Sequence, residues 1–389
     1  MSREPNILPQ LLVDGRSLLD PRSGGVFEYA TELTAAIRWR QNWDCRIWAN
    51  CWHKVAPNNG LGPDASVTRW PNKLLHGAMM LTGHPYLDKM AAKAAGMGAP
   101  DIFWMPNFNY AAFSPRARLA LTVHDLSFER YPEFFTWKRR AWHRLVGARA
   151  LAHRADVILA VSEHTKRDLV ELYGLAPEKI HVTYHGVAER YRSPLPPERL
   201  AETRRRLGLP ERFILHVGTF EPRKNHLALL DAFALIKKDP AQKDLGLVLA
   251  GPAGWKNGAV ERALRTHPNR GDIRRLGFVS AEDKPALYRL AAVFAFPSFY
   301  EGFGLPPLEA MASGTSVVAS FASSLGEVIG DAGILVDPYR PAELADALRS
   351  VLESPALAAE LSRRGQAKAR GFTWEKCAEA TEKAFESIV

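Results

Sequence analysis

Glu301 and Glu309 bracket the run EGFGLPPLE, with seven residues between them. The apolar run AAVFAFP ahead of the pair ends at Pro297 and reads as a buried parallel strand closed by a breaker. A helix is expected to follow. Pro306 and Pro307 suit its first turn, LEAMAS supplies strong helix formers, and Gly314 suits its end. Glu301 then falls in the loop and Glu309 on the helix. Gly302 and Gly304 leave backbone N–H groups open to close approach, at a helix N-terminus that favours anionic or oxygen-rich groups. An ionised carboxylate accepts from two hydroxyls at once, so two of them beside free amides match a polyol. One would hold a ribose diol and the other the hydroxyls of a second sugar. The spacing alone fits two solvated glutamates equally well; the GFGLPP between them is what favours a site.

Cations suited to phosphate stand elsewhere in the chain. The segment VGTFEPRKN, residues 217–225, lies where a strand gives way to a helix, so Arg223 and Lys224 fall at the end of a sheet. Arg offers a planar fork and Lys a compact charge, a combination that fits a diphosphate gaining negative charge as a sugar departs. Two exposed cations at a helix start would look the same in isolation. Gly24 and Gly25 sit between the first strand and a helix beginning near Val26, where glycine amides can approach phosphate. His124 and Asp125 end an apolar strand in LTVHDLSFERYPEFF. A strand-end His is more often structural than functional, and Asp125 fits a helix cap as well as a ligand contact.

Together the residues carry a resemblance: SFYEGFGLPPLEAMASGTSVV is similar to the signature of family-4 retaining glycosyltransferases of the GT-B fold. The resemblance implies that Glu301 and the amides of Gly302, Phe303, Gly304 and Leu305 hold the donor sugar, while Glu309 holds the nucleotide ribose. VGTFEPRKN resembles the family's donor-phosphate motif, which brings Gly218 and Thr219 to the donor beside Arg223 and Lys224. The same resemblance implies that Gly25 meets the donor from the first domain. It makes His124 a positioning or electrostatic group near the transferred sugar and Asp125 an acceptor-side candidate. Backbone groups near Phe278 and Val279 would hold the base. Ser316 departs from the pattern, because many relatives have proline after Gly-Thr; the change should affect the loop more than the chemistry. No Asp-x-Asp occurs, so no metal-bridged diphosphate clamp is expected, and neither metal nor cofactor is required.

The elements that must position these groups alternate along the 389 residues. LLVDG (11–15), RIWA (46–49), LALTVHD (119–125), DVILAVS (156–162) and KIHVTYHG (179–186) read as strands separated by helices. YRSPLPPERL, 191–200, reads as a linker. A second series follows: RFILHVGT (212–219), LGLVLAG (245–251), IRRLGFV (273–279), VFAFPS (293–298), SVVAS (316–320) and GILVDP (333–338). The expected fold is α/β, two doubly wound Rossmann-like domains facing across a cleft in the GT-B arrangement, with strand C-terminal ends toward the ligands. The resemblance implies an acceptor-side domain at 1–192, with the helix of 374–389 packing back on it, and a nucleotide-sugar donor domain at 198–373.

Composition narrows the remaining classes. A 47% hydrophobic and 24% charged chain is ordinary for a globular protein. MSREPNILPQLL lacks a signal-peptide core and no run reaches a membrane span, so a cytoplasmic location is expected. Cys45, Cys51 and Cys377 form no metal or disulfide pattern. Of the net +9, residues 1–190 carry +6, from 24 Lys and Arg against 18 Asp and Glu. Between Glu133 and Asp156 no acidic residue accompanies Lys138, Arg139, Arg140, Arg144, Arg149 and Arg154, while Phe134, Phe135, Trp137 and Trp142 are interleaved. Residues 134–154 thus suit peripheral contact with an anionic membrane or a lipid diphosphate, and equally a solvated helix with its tryptophans turned inward. No nucleic-acid-binding motif accompanies them. HDLSFERYPEFF and FTWEKCA look most like bacterial mannosyltransferases of O-antigen or exopolysaccharide synthesis. That resemblance implies a GDP-mannose donor, with UDP-hexoses and deoxysugar nucleotides as alternatives, and an oligosaccharide or lipid-linked glycan acceptor. Absence of GxGxxG after any expected strand disfavours a dinucleotide oxidoreductase. A catalytically silent scaffold relative would not need Glu301, Glu309, Arg223, Lys224 and His124 together.

Overall fold

In a computed structural model, which describes residues 8–21, 24–53 and 59–389, every pairing between the strands is parallel and the strands form two sheets. The chain divides into two units. One holds the described residues of Met1–Leu126, Trp137–Gly186 and Trp374–Val389; the other holds Ser127–Thr136 and Val187–Thr373.

In the first unit the strands are β1 (Gln10–Asp14), β2 (Asp44–Asn50), β3 (Ser66–Thr68), β4 (Ile102–Met105), β5 (Leu119–Val123), β6 (Val157–Ala160) and β7 (Ile180–Val182). Their order is β3-β2-β1-β4-β5-β6-β7, so the winding reverses between β1 and β4, where Val13 stands opposite Trp104. β4, β5 and β6 are buried at every position, as helices on both faces require. The helix Gly25–Arg40 and the C-terminal helix Trp374–Glu386 pack together, with Trp43 edge-on to Phe385 at 5.6 Å. Buried Glu382 accepts from Arg40 Nε and Asn42 Nδ2, both at 2.8 Å.

In the second unit β8 (Arg212–Val217), β9 (Leu245–Ala250), β10 (Ile273–Gly277), β11 (Val293–Phe296), β12 (Val317–Ser320) and β13 (Ile334–Val336) follow the order β10-β9-β8-β11-β12-β13. The winding reverses between β8 and β11, where Ile214 pairs with Val293. Every strand read from the sequence is present. β3 and β4 were not expected, and residues 191–200 are more ordered than a linker: Glu189–Tyr191 forms a helical turn and Pro197 starts the helix Pro197–Leu207.

One close approach fixes the loops at the C-terminal edge of the second sheet. Gly251 takes φ +147°, and a Cβ there would lie 1.9 Å from the Gly218 carbonyl oxygen. Gly218 N–H donates to Ala250 O at 2.8 Å, and Gly251 N–H to Gly277 O at 2.7 Å, so the ends of β8, β9 and β10 are laced together. Gly251→Ala should therefore cost at least about 3 kcal/mol of stability, as strain and overlap together. Thermal unfolding of the purified variant checks this, and a melting temperature equal to the parent's would refute the constraint.

Candidate functional site

The second unit's reversal point gathers the charged residues. The β8 end continues through Gly218 and Thr219 to a helical turn at Pro222–Lys224, and the β11 end continues through Pro297 to Glu301. Phe299 N–H donates to Arg223 O at 2.9 Å, tying the two segments by backbone. Asn225 Nδ2 donates to Pro297 O at 3.1 Å and Pro338 O at 2.7 Å, which holds a residue at φ +55° in place. The result brings Glu301 to the two cations. Its Oε2 accepts from Arg223 Nη1 at 2.8 Å and its Oε1 from Lys224 Nζ at 2.7 Å.

Arg223 also reaches Glu221, Nη2 to Oε1 at 2.8 Å, and donates from Nη1 to Tyr300 O at 2.8 Å. Two cations and two carboxylates thus form a charge-balanced cluster in which Glu221, Glu301 and Lys224 are buried and Arg223, at 15%, is partly so. Burial alone would raise the Glu301 carboxyl, but Arg223 and Lys224 hold it down to about 2. Burial lowers the Lys224 ammonium, an effect that Glu301 opposes. Lys224 Nζ also lies 5.0 Å from the centre of the Phe296 ring, whose face supports the cation.

Glu309 stands on the helix Leu305–Ala312, which begins with Pro306 and Pro307 in its first turn as expected. Gly304 caps that helix at φ +107°, and a Cβ there would meet Leu325 at 2.8 Å. The Glu309 carboxylate is buried and accepts from Tyr191 Oη at 2.8 Å, Tyr288 Oη at 2.6 Å and Lys284 Nζ at 3.1 Å. Gly302, Phe303 and Leu305, which precede it in the chain, are buried, with Phe303 O accepting from Ser324 Oγ at 2.9 Å. Phe278 and Val279 follow β10; Phe278 is exposed and Val279 partly so.

The first unit carries the other candidates. Gly25 is exposed at the first residue of the helix Gly25–Arg40. His124 follows β5, and its Nε2–H donates to Pro106 O at 2.9 Å. The imidazole lies edge-on to Tyr29 at 4.8 Å and beside His185 at 5.7 Å. Burial lowers its pKa, so it is neutral near pH 7. Asp125 is partly exposed next to it. Among the described residues no group of three or more His, Cys, Asp or Glu is placed to hold a metal ion.

Four residues of these clusters were not singled out in the sequence. Glu221 lies inside the quoted VGTFEPRKN motif. Lys284 and Tyr288 stand at i and i+4 of the helix Lys284–Leu290, a spacing that places both on one face and is a usable signal. Tyr191 lies in the stretch read as a linker and gave none.

The matching family models describe "Glycosyl transferases group 1" over residues 201–368 and "Glycosyltransferase Family 4" over residues 23–190. O-antigen chain mannosyltransferase B of Escherichia coli is 33% identical over 287 residues, 74% of each chain. Serotype-specific mannosyltransferase WbdA of Escherichia coli is 32% identical over 241 residues, 61% of this chain and 29% of that one. The crystal structure of Anabaena HepE in complex with UDP and glucose superposes with a TM-score of 0.75 at 21% identity, covering 98% of this chain and 100% of that one. That likeness is one of fold.

Removal of the Glu301 charge should expose the energetics of the cluster. Glu301→Gln leaves two buried cations with one carboxylate, and stability at neutral pH should fall by about 3 kcal/mol. A carboxyl held below its ordinary value stabilises above that value and loses the contribution as pH falls, here between about 4.5 and about 2. Urea unfolding across that range should show the parent converging on Glu301→Gln as the pH drops. A constant gap between the two would refute the assignment.

Proposed function

Because the chain belongs to the group 1 and family 4 glycosyltransferases of the GT-B fold, we propose that it moves mannose from GDP-mannose to a hydroxyl of a lipid-linked oligosaccharide. The anomeric configuration is retained. The observation that carries the donor site is the meeting of Arg223, Lys224 and Glu301 at the β8–β11 reversal point, where ligands bind in open parallel sheets. Mannose is supported by the two mannosyltransferase relatives.

In this reading Arg223 and Lys224 neutralise the departing diphosphate, the positive charge it needs being supplied by side chains. Glu301 holds sugar hydroxyls, with the amides of Gly302 through Leu305 beside it. Glu309 holds the ribose diol in exchange for its phenol partners. Gly218, Thr219, Phe278 and Val279 line the nucleotide. In the first unit Gly25 and His124 serve the donor sugar, the neutral imidazole of His124 as a positioning and polarising group. Asp125 serves the acceptor. The acceptor hydroxyl attacks on the face the diphosphate leaves, so no protein nucleophile is required.

A calorimetric panel of GDP-, UDP-, dTDP- and ADP-sugars tests the donor: GDP-mannose should bind, and Glu309→Ala should weaken it by at least about tenfold. Equal binding by Glu309→Ala, or preference for a UDP-hexose, would overturn the assignment. Arg223→Ala and Lys224→Ala should each lower kcat by about 10²–10³ with smaller changes in KM. Proton NMR of the product should show an α linkage formed from the α donor, and turnover should persist in excess chelator.

The helix Trp137–Val146 supports peripheral membrane contact. Trp137, Ala141 and Leu145 recur at i, i+4 and i+8; Trp137 is 73% and Leu145 54% exposed, while Lys138, Arg140 and Arg144 flank them in solvent. No helix among the described residues is long and apolar enough to cross a membrane. Vesicles of phosphatidylglycerol should co-sediment the protein and those of phosphatidylcholine should not. Arg140→Glu with Arg144→Glu should weaken binding by at least about tenfold. Equal sedimentation with both lipids would refute the contact.

A further inference from the structure

The segment Ser127–Thr136 lies between two parts of the first unit in the chain, yet it belongs by its contacts to the second. The first unit is left at Leu126, two residues after His124, and re-entered at Trp137. Between them the chain forms two short helical turns, Ser127–Arg130 and Pro132–Phe134. A connection that merely crossed a surface would leave its rings loosely covered. Here Phe135 is buried, and the segment engages two loops of the second unit.

The sheet order puts β9 and β11 on either side of β8, so the loops after β9 and β11 flank the turn that carries Arg223 and Lys224. On the β9 side, Trp255 Nε1–H donates to Phe134 O at 2.9 Å and Lys256 Nζ to Glu133 O at 2.6 Å. The Phe135 ring stacks on Trp255 at 5.8 Å with 29° between planes. That loop is itself pinned next to the charge cluster: Phe220 N–H donates to Pro252 O at 3.0 Å and Gly254 N–H to Phe220 O at 3.2 Å, one residue before Glu221. On the β11 side, Phe134 stacks on Phe299 at 5.6 Å with 28° between planes, and Tyr131 stands edge-on to Tyr300 at 5.8 Å. Tyr131 and Phe134 stack on each other at 5.1 Å, and Phe299 continues the column to Tyr339 at 4.9 Å.

Phe299 and Tyr300 are also the residues whose backbone holds Arg223: Phe299 N–H donates to Arg223 O, and Arg223 Nη1 donates to Tyr300 O. We infer that Ser127–Thr136 is a brace across the β9 and β11 loops, in which Tyr131 and Phe134 are positioning residues that fix Arg223 through the Phe299–Tyr300 backbone. A cation stabilises developing charge well only if it is held in place beforehand, and a long side chain such as arginine depends on its anchors for that. Stacked and edge-on rings supply such anchoring with defined geometry. The inference rests on the reading of Arg223 as the cation that meets the leaving diphosphate. It also engages Phe134 and Phe135 with rings of the protein itself rather than with a lipid surface.

A double-mutant cycle tests the route. Phe134→Ala should lower kcat with GDP-mannose by about tenfold, the scale of one lost ring contact, with a smaller change in KM. In an Arg223→Ala background the same substitution should change kcat by less than about twofold, because the group it positions is gone. Phe134→Tyr keeps the ring and should behave as the parent. Amide hydrogen exchange gives a readout independent of turnover: in Phe134→Ala the amides of residues 299–301 should exchange at least about tenfold faster, with those of the helix Gly25–Arg40 unchanged. Thermal melts establish that the variants fold; if Phe134→Ala does not, Trp255→Phe, which removes the bond to Phe134 O, takes its place in both arms with the same expected directions. Equal losses of kcat in the two backgrounds would overturn the positioning role, as would unchanged exchange at 299–301. If another sugar nucleotide is turned over in place of GDP-mannose, the donor reading falls and the cycle is run with that donor. If none is turned over, the glycosyltransferase reading falls and the exchange at 299–301 alone decides the brace.

Discussion

Burial of the Glu301 carboxylate is the constraint on which the second unit's edge depends. A carboxylate this far from water must be neutralised and hydrogen-bonded, or it would take up a proton. Arg223 and Lys224 meet that demand from a segment separated from it by more than seventy residues, so the β8 and β11 ends cannot drift apart without stranding three charges. Around the ion pairs the backbone is tied: Asn225 to Pro297 and Pro338, Phe299 to Arg223, and Glu301 N–H to Ser323 Oγ at 2.7 Å. Gly251 then allows the neighbouring loop to press against Gly218 where any side chain would collide. The geometry at the β8 and β11 ends is therefore fixed by the protein's own contacts.

Much of this was legible in the residues, and the failures have physical causes. Alternating apolar runs and breakers identified the six strands of the second unit, since strands covered on both faces read as continuous apolar blocks. β4 was missed although all four of its residues are buried, because IFWM is too short to stand out between GMGAPD and PNFNY. β3 has no apolar run at all: SVT is an edge strand of three residues, none of them buried. Residues 191–200 read as a linker from their prolines, yet Pro197 opens a helix, a position where its missing N–H costs nothing. Glu301 and Glu309 stood out through the GFGLPP run between them, not through their spacing. Tyr191, which is 118 positions from Glu309, could not, because only the fold brings them together.

The basic segment shows where composition stops and helix phase takes over. Lys138, Arg140, Arg144, Trp137 and Trp142 are consistent with either a lipid-facing or an inward-packed helix when read as a list. The phase separates them: Trp137 and Leu145 share the outward row, while Trp142 falls off it and finds Tyr110. One helix then presents its two tryptophans in different directions, which neither reading of the sequence alone contained.

Glu301 and Glu309 differ in how they are satisfied. Glu301 is held by two cations, Arg223 and Lys224, for which any diphosphate bound there would compete. Glu309 is held chiefly by two phenol hydroxyls, with Lys284 at the longer distance of 3.1 Å. A ribose diol offers the same donor chemistry as those phenols, so exchange would replace like with like and leave the buried carboxylate satisfied throughout.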